Sequence, residues 1–267
     1  MDLSQSTTLP PLSSGQTVAQ VLQKNLICCE PQTSVQQAAS LMQHHNISCI
    51  LVKKGELILG IWTESDCKKL DLADTALLQQ PVSLVMSCPV LSVPDKSTTS
   101  DAAALMKQKG VRRLLVTDSQ HKAVGIVTQT DLIHQQPLEH YLMLRDISSI
   151  LVELPLLLQA DLTVAQAAIL MQQTQRDAAI VQFDQSLYEH AEYGIITERD
   201  LVHFVATERT LCTLAEVATR PLLTLPLHSS LLQAVRLLRE QGFRHLGVTD
   251  SYAKPVGLLS HNHILLN

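Results

Sequence analysis

An α/β fold assembled from four copies of one β-α-β-β-α unit is what the sequence predicts, and three observations carry it. Segments of one pattern recur: Gly60-Ile-Trp-Thr-Glu-Ser-Asp66, Gly125-Ile-Val-Thr-Gln-Thr-Asp131, Gly194-Ile-Ile-Thr-Glu-Arg-Asp200 and Gly257-Leu-Leu-Ser-His-Asn-His263. Their glycines stand 65, 69 and 63 residues apart. Each segment is preceded by a hydroxyl residue that opens an apolar run of helical period, and then by a short run of β-forming residues. Repetition at a near-constant interval marks a repeat architecture, in which one unit cannot bury its faces alone.

The elements follow in order within each unit. Ser34, Thr98, Thr163 and Ser230 are natural helix N-caps. After Ser34 the apolar residues Val35, Ala38, Ala39, Leu41 and Met42 fall at i, i+3, i+4, i+6 and i+7, one face of a helix, and the other three copies match this spacing. The small residues Ala38, Ala102, Ala167 and Ala234 let that helix lie close to a sheet. The strands that follow are predicted at Cys49–Val52, Arg113–Val116, Ala178–Val181 and His245–Val248, with turn signals at Thr117-Asp118-Ser119 and Thr249-Asp250-Ser251. The next strand enters the glycine-containing segment, whose Thr or Ser caps a short second helix, as over Glu64–Leu70 or Glu198–Val205. Copy three carries about four extra residues near Ser186–His190, placed in a widened hairpin. The expected division is a flexible tail at 1–16, a first pair of units at 17–137, a linker helix at 138–146 and a second pair at 147–267.

Composition narrows the function classes. Hydrophobic residues make up 46% and aromatics 3%, so the core is aliphatic. The net charge of −5 gives no global attraction to nucleic acid or to an anionic membrane. The six cysteines form no C-x-x-C pair, which argues against zinc and for reduced thiols in a cytoplasmic protein. The N-terminal residues lack the basic start and apolar run of a signal peptide. The greasiest stretch, Ile147–Leu158, is too short to span a bilayer. No G-x-S-x-G, Walker loop or H-E-x-x-H occurs, so a non-enzymatic role is expected, with no metal.

The four glycine segments, in phase with their Ser/Thr-capped helices over roughly residues 17–267, resemble the CBS domain. That resemblance implies units paired into two Bateman modules, assembled as a flat disk within one chain or between two chains. It implies clefts that take adenosine-containing ligands: AMP, ADP, ATP or S-adenosylmethionine. The segments Arg145–Ile150 and Ile196–Leu201 are also similar to the N-terminal input region of bacterial signalling proteins with cyclic-nucleotide output domains. The expected partner is then an output domain or another protein. A dimerisation platform with decayed sites, or a sensory fragment of a larger signalling enzyme, stays open.

The candidate site residues follow from the same motif. Thr63/Asp66, Thr128/Asp131 and Thr197/Asp200 have the spacing of a capping box, in which each side chain satisfies an orphan amide. A short carboxylate at a helix start also suits a ribose diol, and the resemblance implies contact with ribose and phosphate at these positions. Both readings stand at this point. Copy four has Ser260 and His263 instead, and imidazole is a poor acceptor for a diol; its cleft is expected to be empty or to take something else. Phosphates need cations, and Arg112-Arg113 and Arg244-His245 stand where the second strand begins in copies two and four, a position that faces the shared cleft in the family. Arg guanidinium suits bidentate phosphate contact, although a solvated strand entrance is an equal reading. Arg199 is a weaker candidate.

Overall fold

The four long helices begin where the sequence offers a hydroxyl. In the computed structural model, which describes residues 16–134, 142, 145–151, 154–183, 192–260 and 263–264, Ser34, Thr98, Thr163 and Ser230 each accept the backbone N–H three residues on. Unit 1 comprises β1 (Cys28–Cys29), α1 (Val35–His44), β2 (Cys49–Lys54), β3 (Leu57–Thr63) and α2 (Glu64–Cys67), followed by the one-turn α3 (Thr75–Leu78). Unit 2 comprises β4 (Ser92–Pro94), α4 (Thr99–Lys109), β5 (Arg113–Thr117), β6 (Ala123–Thr128) and α5 (Gln129–His134). Unit 3 comprises β7 (Leu157–Gln159), α6 (Val164–Gln173), β8 (Ala178–Gln182), β9 (Tyr193–Thr197) and α7 (Glu198–Ala206), followed by the one-turn α8 (Leu214–Val217). Unit 4 comprises β10 (Thr224–Pro226), α9 (Leu231–Gln241), β11 (His245–Thr249) and β12 (Pro255–Ser260).

Each unit forms one three-stranded sheet in the order first-second-third strand, the first pair parallel and the second antiparallel. A parallel neighbour demands a crossover, and the long helix supplies it. The apolar face read from the sequence is the buried one: Val35, Ala38, Ala39 and Met42 are sealed in unit 1, as are Val164, Ala167, Ala168 and Met171 in unit 3. The expected tail, most of the linker helix and the widened hairpin lie outside the described residues.

The segment leading into each unit packs on that unit's partner. Residue 17 bridges Thr98, and Gln23 exchanges both backbone hydrogen bonds with Ile126, at 2.8 and 3.0 Å. Ser87 does the same with Ile61, and Thr219 with Ile195. Asp146 bridges Ser230. The exchanges join unit 1 to unit 2 and unit 3 to unit 4. They also explain the recurrent glycine. A Cβ on Gly125 would stand 2.7 Å from the Gln23 carbonyl, and one on Gly194 2.8 Å from the Thr219 carbonyl, so only glycine admits the crossing segment.

The two pairs meet through helices. One continuous apolar core, aliphatic apart from Trp62, Phe183 and Phe204, runs through units 1 and 3, where α1 and α2 pack against α7, bringing Ala38, Ala39 and Met42 together with Leu201, Val202 and Val205. Units 2 and 4 have their own smaller cores. Near that helix contact the first residues of α2 and α7, Glu64 and Glu198, pair with the arginines that immediately precede β11 and β5, Arg244 and Arg112.

Candidate clefts at the junction of the four units

The Thr-x-x-Asp motifs are capping boxes in the structure. Asp66, Asp131 and Asp200 each use Oδ2 to accept the backbone N–H and the hydroxyl of Thr63, Thr128 or Thr197, at 2.6 to 3.1 Å. Capping occupies only one carboxylate oxygen, so it does not by itself exclude a ligand. What decides is the second oxygen. Asp66 Oδ1 accepts from Lys69 Nζ at 2.7 Å and from Ser87 Oγ at 3.0 Å, and the residue is 4% exposed. Its acceptor capacity is filled by its own chain. Asp131 Oδ1 accepts from the exposed Gln23 side chain at 2.9 Å. Asp200 Oδ1 has no hydrogen-bond partner among the described residues, and Asp200 borders two cavities. Burial pushes its carboxyl above the usual aspartate range, against the pull of the Thr197 hydrogen bonds.

In unit 4 His263 takes the capping place. Its Nδ1 accepts the Ser260 N–H at 3.1 Å, so the ring proton sits on Nε2. Burial holds this imidazole below its ordinary pKa, which favours the neutral form that can accept.

The cavity beside Asp200 measures about 320 Å³. Its lining mixes apolar residues, Ile195, Pro221 and Leu222, with the cations Arg199 and Arg244, with His245 and with the carboxylates Glu64, Asp177 and Asp200. A second cavity of about 350 Å³ lies between the two pairs, lined by Ile27, Arg113 and Thr128 of the first and by Leu238, Phe243 and Ser260 of the second. The two share Glu64, Arg112, Asp177, Arg244 and His245 along their common boundary. Volumes of this size suit a drug-sized or nucleotide-sized ligand.

Of the groups expected to wait for phosphate, Arg112 and Arg244 are engaged by carboxylates, Arg113 by a backbone carbonyl, and His245 stands beside Asp177 with no hydrogen bond to its Nε2. Arg112 pairs with Glu198, meets Asp177 Oδ2 at 3.2 Å and donates to Ser65 Oγ at 2.5 Å. Arg244 donates to Glu64 Oε2 at 2.5 Å. Arg113 donates to the Ser48 carbonyl. His245 Nε2 lies 3.1 Å from Asp177 Oδ1. Burial alone would raise the Asp177 carboxyl, but His245 and Arg112 together hold it well below the usual carboxylate range. Arg199, the weaker candidate, donates to Asn46 Oδ1 at 2.8 Å and lines the Asp200 cavity. Burial and the neighbouring Arg244 lower its guanidinium pKa.

The ion pairs cross between the two pairs of units: Arg112 of unit 2 reaches Glu198 of unit 3, and Arg244 of unit 4 reaches Glu64 of unit 1. Sequence reasoning passed over Glu64, Glu198 and Asp177. A signal existed. Glutamate follows the capping threonine only in units 1 and 3, and arginine precedes or opens the second strand only in units 2 and 4.

Comparison with known proteins bears on the whole assembly. A family model described as the CBS domain matches residues 18–72, 82–137 and 214–267. Unit 3 lies outside those matches and carries the same three-stranded sheet and Thr-capped helices. The CBS domain-containing protein YhcV of Bacillus subtilis is 38% identical over 106 residues, 40% of this chain and 75% of its own length. Protein MJ1225 of Methanocaldococcus jannaschii shares the fold along 94% of this chain and 99% of its own, with a TM-score of 0.78 and 16% identity. An uncharacterized conserved protein of Pyrococcus horikoshii covers the same shares with a TM-score of 0.58 and 18% identity. Among the described residues no helix is long and apolar enough to cross a membrane, and no group of three or more metal-ligating side chains gathers.

Proposed function

We propose, from the premise that this chain belongs to the CBS domain family, that it is a regulatory module that takes one adenosine-containing ligand in the cleft beside Asp200. Residues 17–137 and 147–267 are its two modules, and the second holds the working site. The observation that carries this reading is the unpaired Oδ1 of Asp200 in the lining of a cavity that also holds apolar residues and two arginines. A carboxylate oxygen in that position accepts the hydroxyls of a ribose. Ile195, Pro221 and Leu222 in the lining suit an adenine face, and Arg199 and Arg244 supply the donors a phosphate needs. AMP, ADP, ATP and S-adenosylmethionine are the candidates, and an output domain or partner protein would read the bound state.

The test is isothermal titration of the wild type and Asp200→Ala with those four ligands. Hydrogen bonds to a charged group contribute about 1.5–3 kcal/mol each, so the variant should lose about ten-fold or more in affinity. Equal affinity in both proteins would remove the ribose assignment. A second reading has support in unit 1, where Lys69 and Ser87 close Asp66: the first module serves as a scaffold. Thermal-shift measurements separate the two, because a ligand that binds the folded state raises the midpoint by mass action and a scaffold gains nothing.

A further inference from the structure

Glu64 and Glu198 occupy matching places, each the first residue of a helix after its capping threonine, and each faces an arginine of the opposite module. Their surroundings differ. Both oxygens of Glu198 are held: Oε1 by Lys68 Nζ at 2.7 Å, Oε2 by Arg112, with Ser65 Oγ bonding at 3.0 and 3.1 Å. Glu64 has one hydrogen bond, from Arg244 to Oε2 at 2.5 Å. Its Oε1 is buried with no hydrogen-bond partner and lies 3.7 Å from Arg199 Nε, although the side chain is only 3% exposed. Glu64 also borders both cavities at the module junction, and Arg199 and Arg244 line the one beside Asp200.

We propose that Glu64 is a built-in competitor for the anionic group of the ligand in the Asp200 cleft, a contact that the ligand's phosphate must displace. The proposal rests on the nucleotide reading of that cleft. The balance of partners picks out which cations yield. Arg112 is held by Glu198, Asp177 and Ser65, so taking it away breaks three contacts. Arg199 and Arg244 share the single carboxylate of Glu64, and one of its oxygens is already unbonded. Arg199 also donates to Asn46, so a phosphate entering between the two arginines gains both guanidinium donors against their bonds to two residues, Glu64 and Asn46, where Arg112 is held by three. Because Arg244 belongs to unit 4 and Glu64 to unit 1, that exchange severs a tie between the modules, and binding in one module then changes how it is held to the other. Glu64 also sets specificity: a nucleoside without phosphate has no claim on these arginines, and a phosphate succeeds only by displacing a charge already present.

The experiment titrates AMP and adenosine into wild type, Glu64→Gln and Arg199→Gln, and records melting midpoints with inorganic pyrophosphate. Glu64→Gln keeps the side-chain shape and removes the competing charge. It should bind AMP at least ten-fold more tightly with adenosine unchanged. Arg199→Gln leaves the Glu64–Arg244 pair intact and should reduce AMP to the affinity of adenosine. AMP affinity unchanged or weakened in Glu64→Gln overturns the proposal, as does an equal gain for adenosine, which would mark general loosening. Unchanged AMP affinity in Arg199→Gln overturns it too. If neither nucleoside nor nucleotide binds any of the three proteins, the adenosine reading fails on its own. Pyrophosphate then decides for Glu64: a midpoint rise larger in Glu64→Gln than in wild type supports competition, and equal midpoints refute it.

Discussion

Units 1 and 3 carry nearly the same motif, Gly-Ile-Trp-Thr-Glu-Ser-Asp against Gly-Ile-Ile-Thr-Glu-Arg-Asp, and put it to different use. Both aspartates cap their helices through Oδ2. In unit 1 the other oxygen is consumed by Lys69, one turn on, and by Ser87 from the segment that leads into unit 2. In unit 3 the equivalent places hold His203 and Thr219, and neither bonds to Asp200 in that way. The difference therefore lies outside the motif. A recurrent acid marks where a site can form, and the two neighbours decide whether it is open.

The largest expected effect concerns the glutamates beside those acids. Removing one partner of a buried ion pair costs about 3–5 kcal/mol, because the stranded charge stays out of water. Glu198 holds both Lys68 and Arg112, whereas Glu64 holds Arg244, which is 37% exposed. Glu198→Ala should fall near the top of that range in urea denaturation and Glu64→Ala clearly below it. Equal costs would dissolve the asymmetry drawn between the two units.

Next in size is the contrast between the aspartates themselves. Asp66→Asn trades a fully bonded carboxylate for an amide that cannot serve Lys69 and Ser87 equally well, and loss of such charge-assisted bonds costs about 1–3 kcal/mol. Asp200→Asn removes a charge whose burial is only partly compensated, so the unliganded fold should be unchanged or slightly more stable at neutral pH. Denaturant midpoints of the two variants, measured without ligand, check both signs. A smaller effect follows from moving the neighbours: His203→Lys with Thr219→Ser should close Asp200 and lower AMP affinity about ten-fold, if each ribose bond is worth roughly 1.4 kcal/mol. Full affinity in that double variant would mean the neighbours do not decide.

The sequence displayed the local parts of this arrangement well. Capping residues, helix faces and strands depend on near neighbours, so Ser34, Thr98, Thr163 and Ser230 and the alanines behind them could be read directly. The second helix of unit 1 stops at Cys67 rather than Leu70: the Lys69 and Leu70 amides donate three residues back, to Asp66 and Cys67, and close the helix in a tightened turn. What the motif did not disclose are partners supplied from far along the chain: Gln23 for Asp131, Ser87 for Asp66, and Glu64 and Glu198 for the arginines. The recurring glycine was visible as a pattern, but its cause, a crossing segment at van der Waals contact, arises only when the units pair. The alternation of Glu in odd units with Arg in even units is present in the sequence, but it reads as a set of contacts only once the units are paired.

The smallest effects are those of pH, and two aspartates of unit 3 should respond with opposite signs. Asp177 is held below the usual carboxylate range by His245 and Arg112 against the cost of its burial. A group depressed in the folded state contributes stability above its unfolded pKa, about 3.9 for aspartate, and loses it as the pH falls further. The stability gap between wild type and Asp177→Asn should therefore be constant near neutrality and shrink below about pH 4. Asp200 is raised by burial, so its folded form holds the proton better than its unfolded form. Its effect favours folding in acid and is lost as the pH rises through the folded pKa, which makes any gain from Asp200→Asn a neutral-pH gain that vanishes on acidification. Ligand binding sharpens the contrast, because only the ionised carboxylate offers Oδ1 as a full acceptor to a diol. The affinity of adenosine, which carries no titrating phosphate, should begin to fall at a pH above the ordinary aspartate range, while Asp177 is still fully charged. Titrations between pH 7 and pH 4 that show no such decline would separate Asp200 from the ribose.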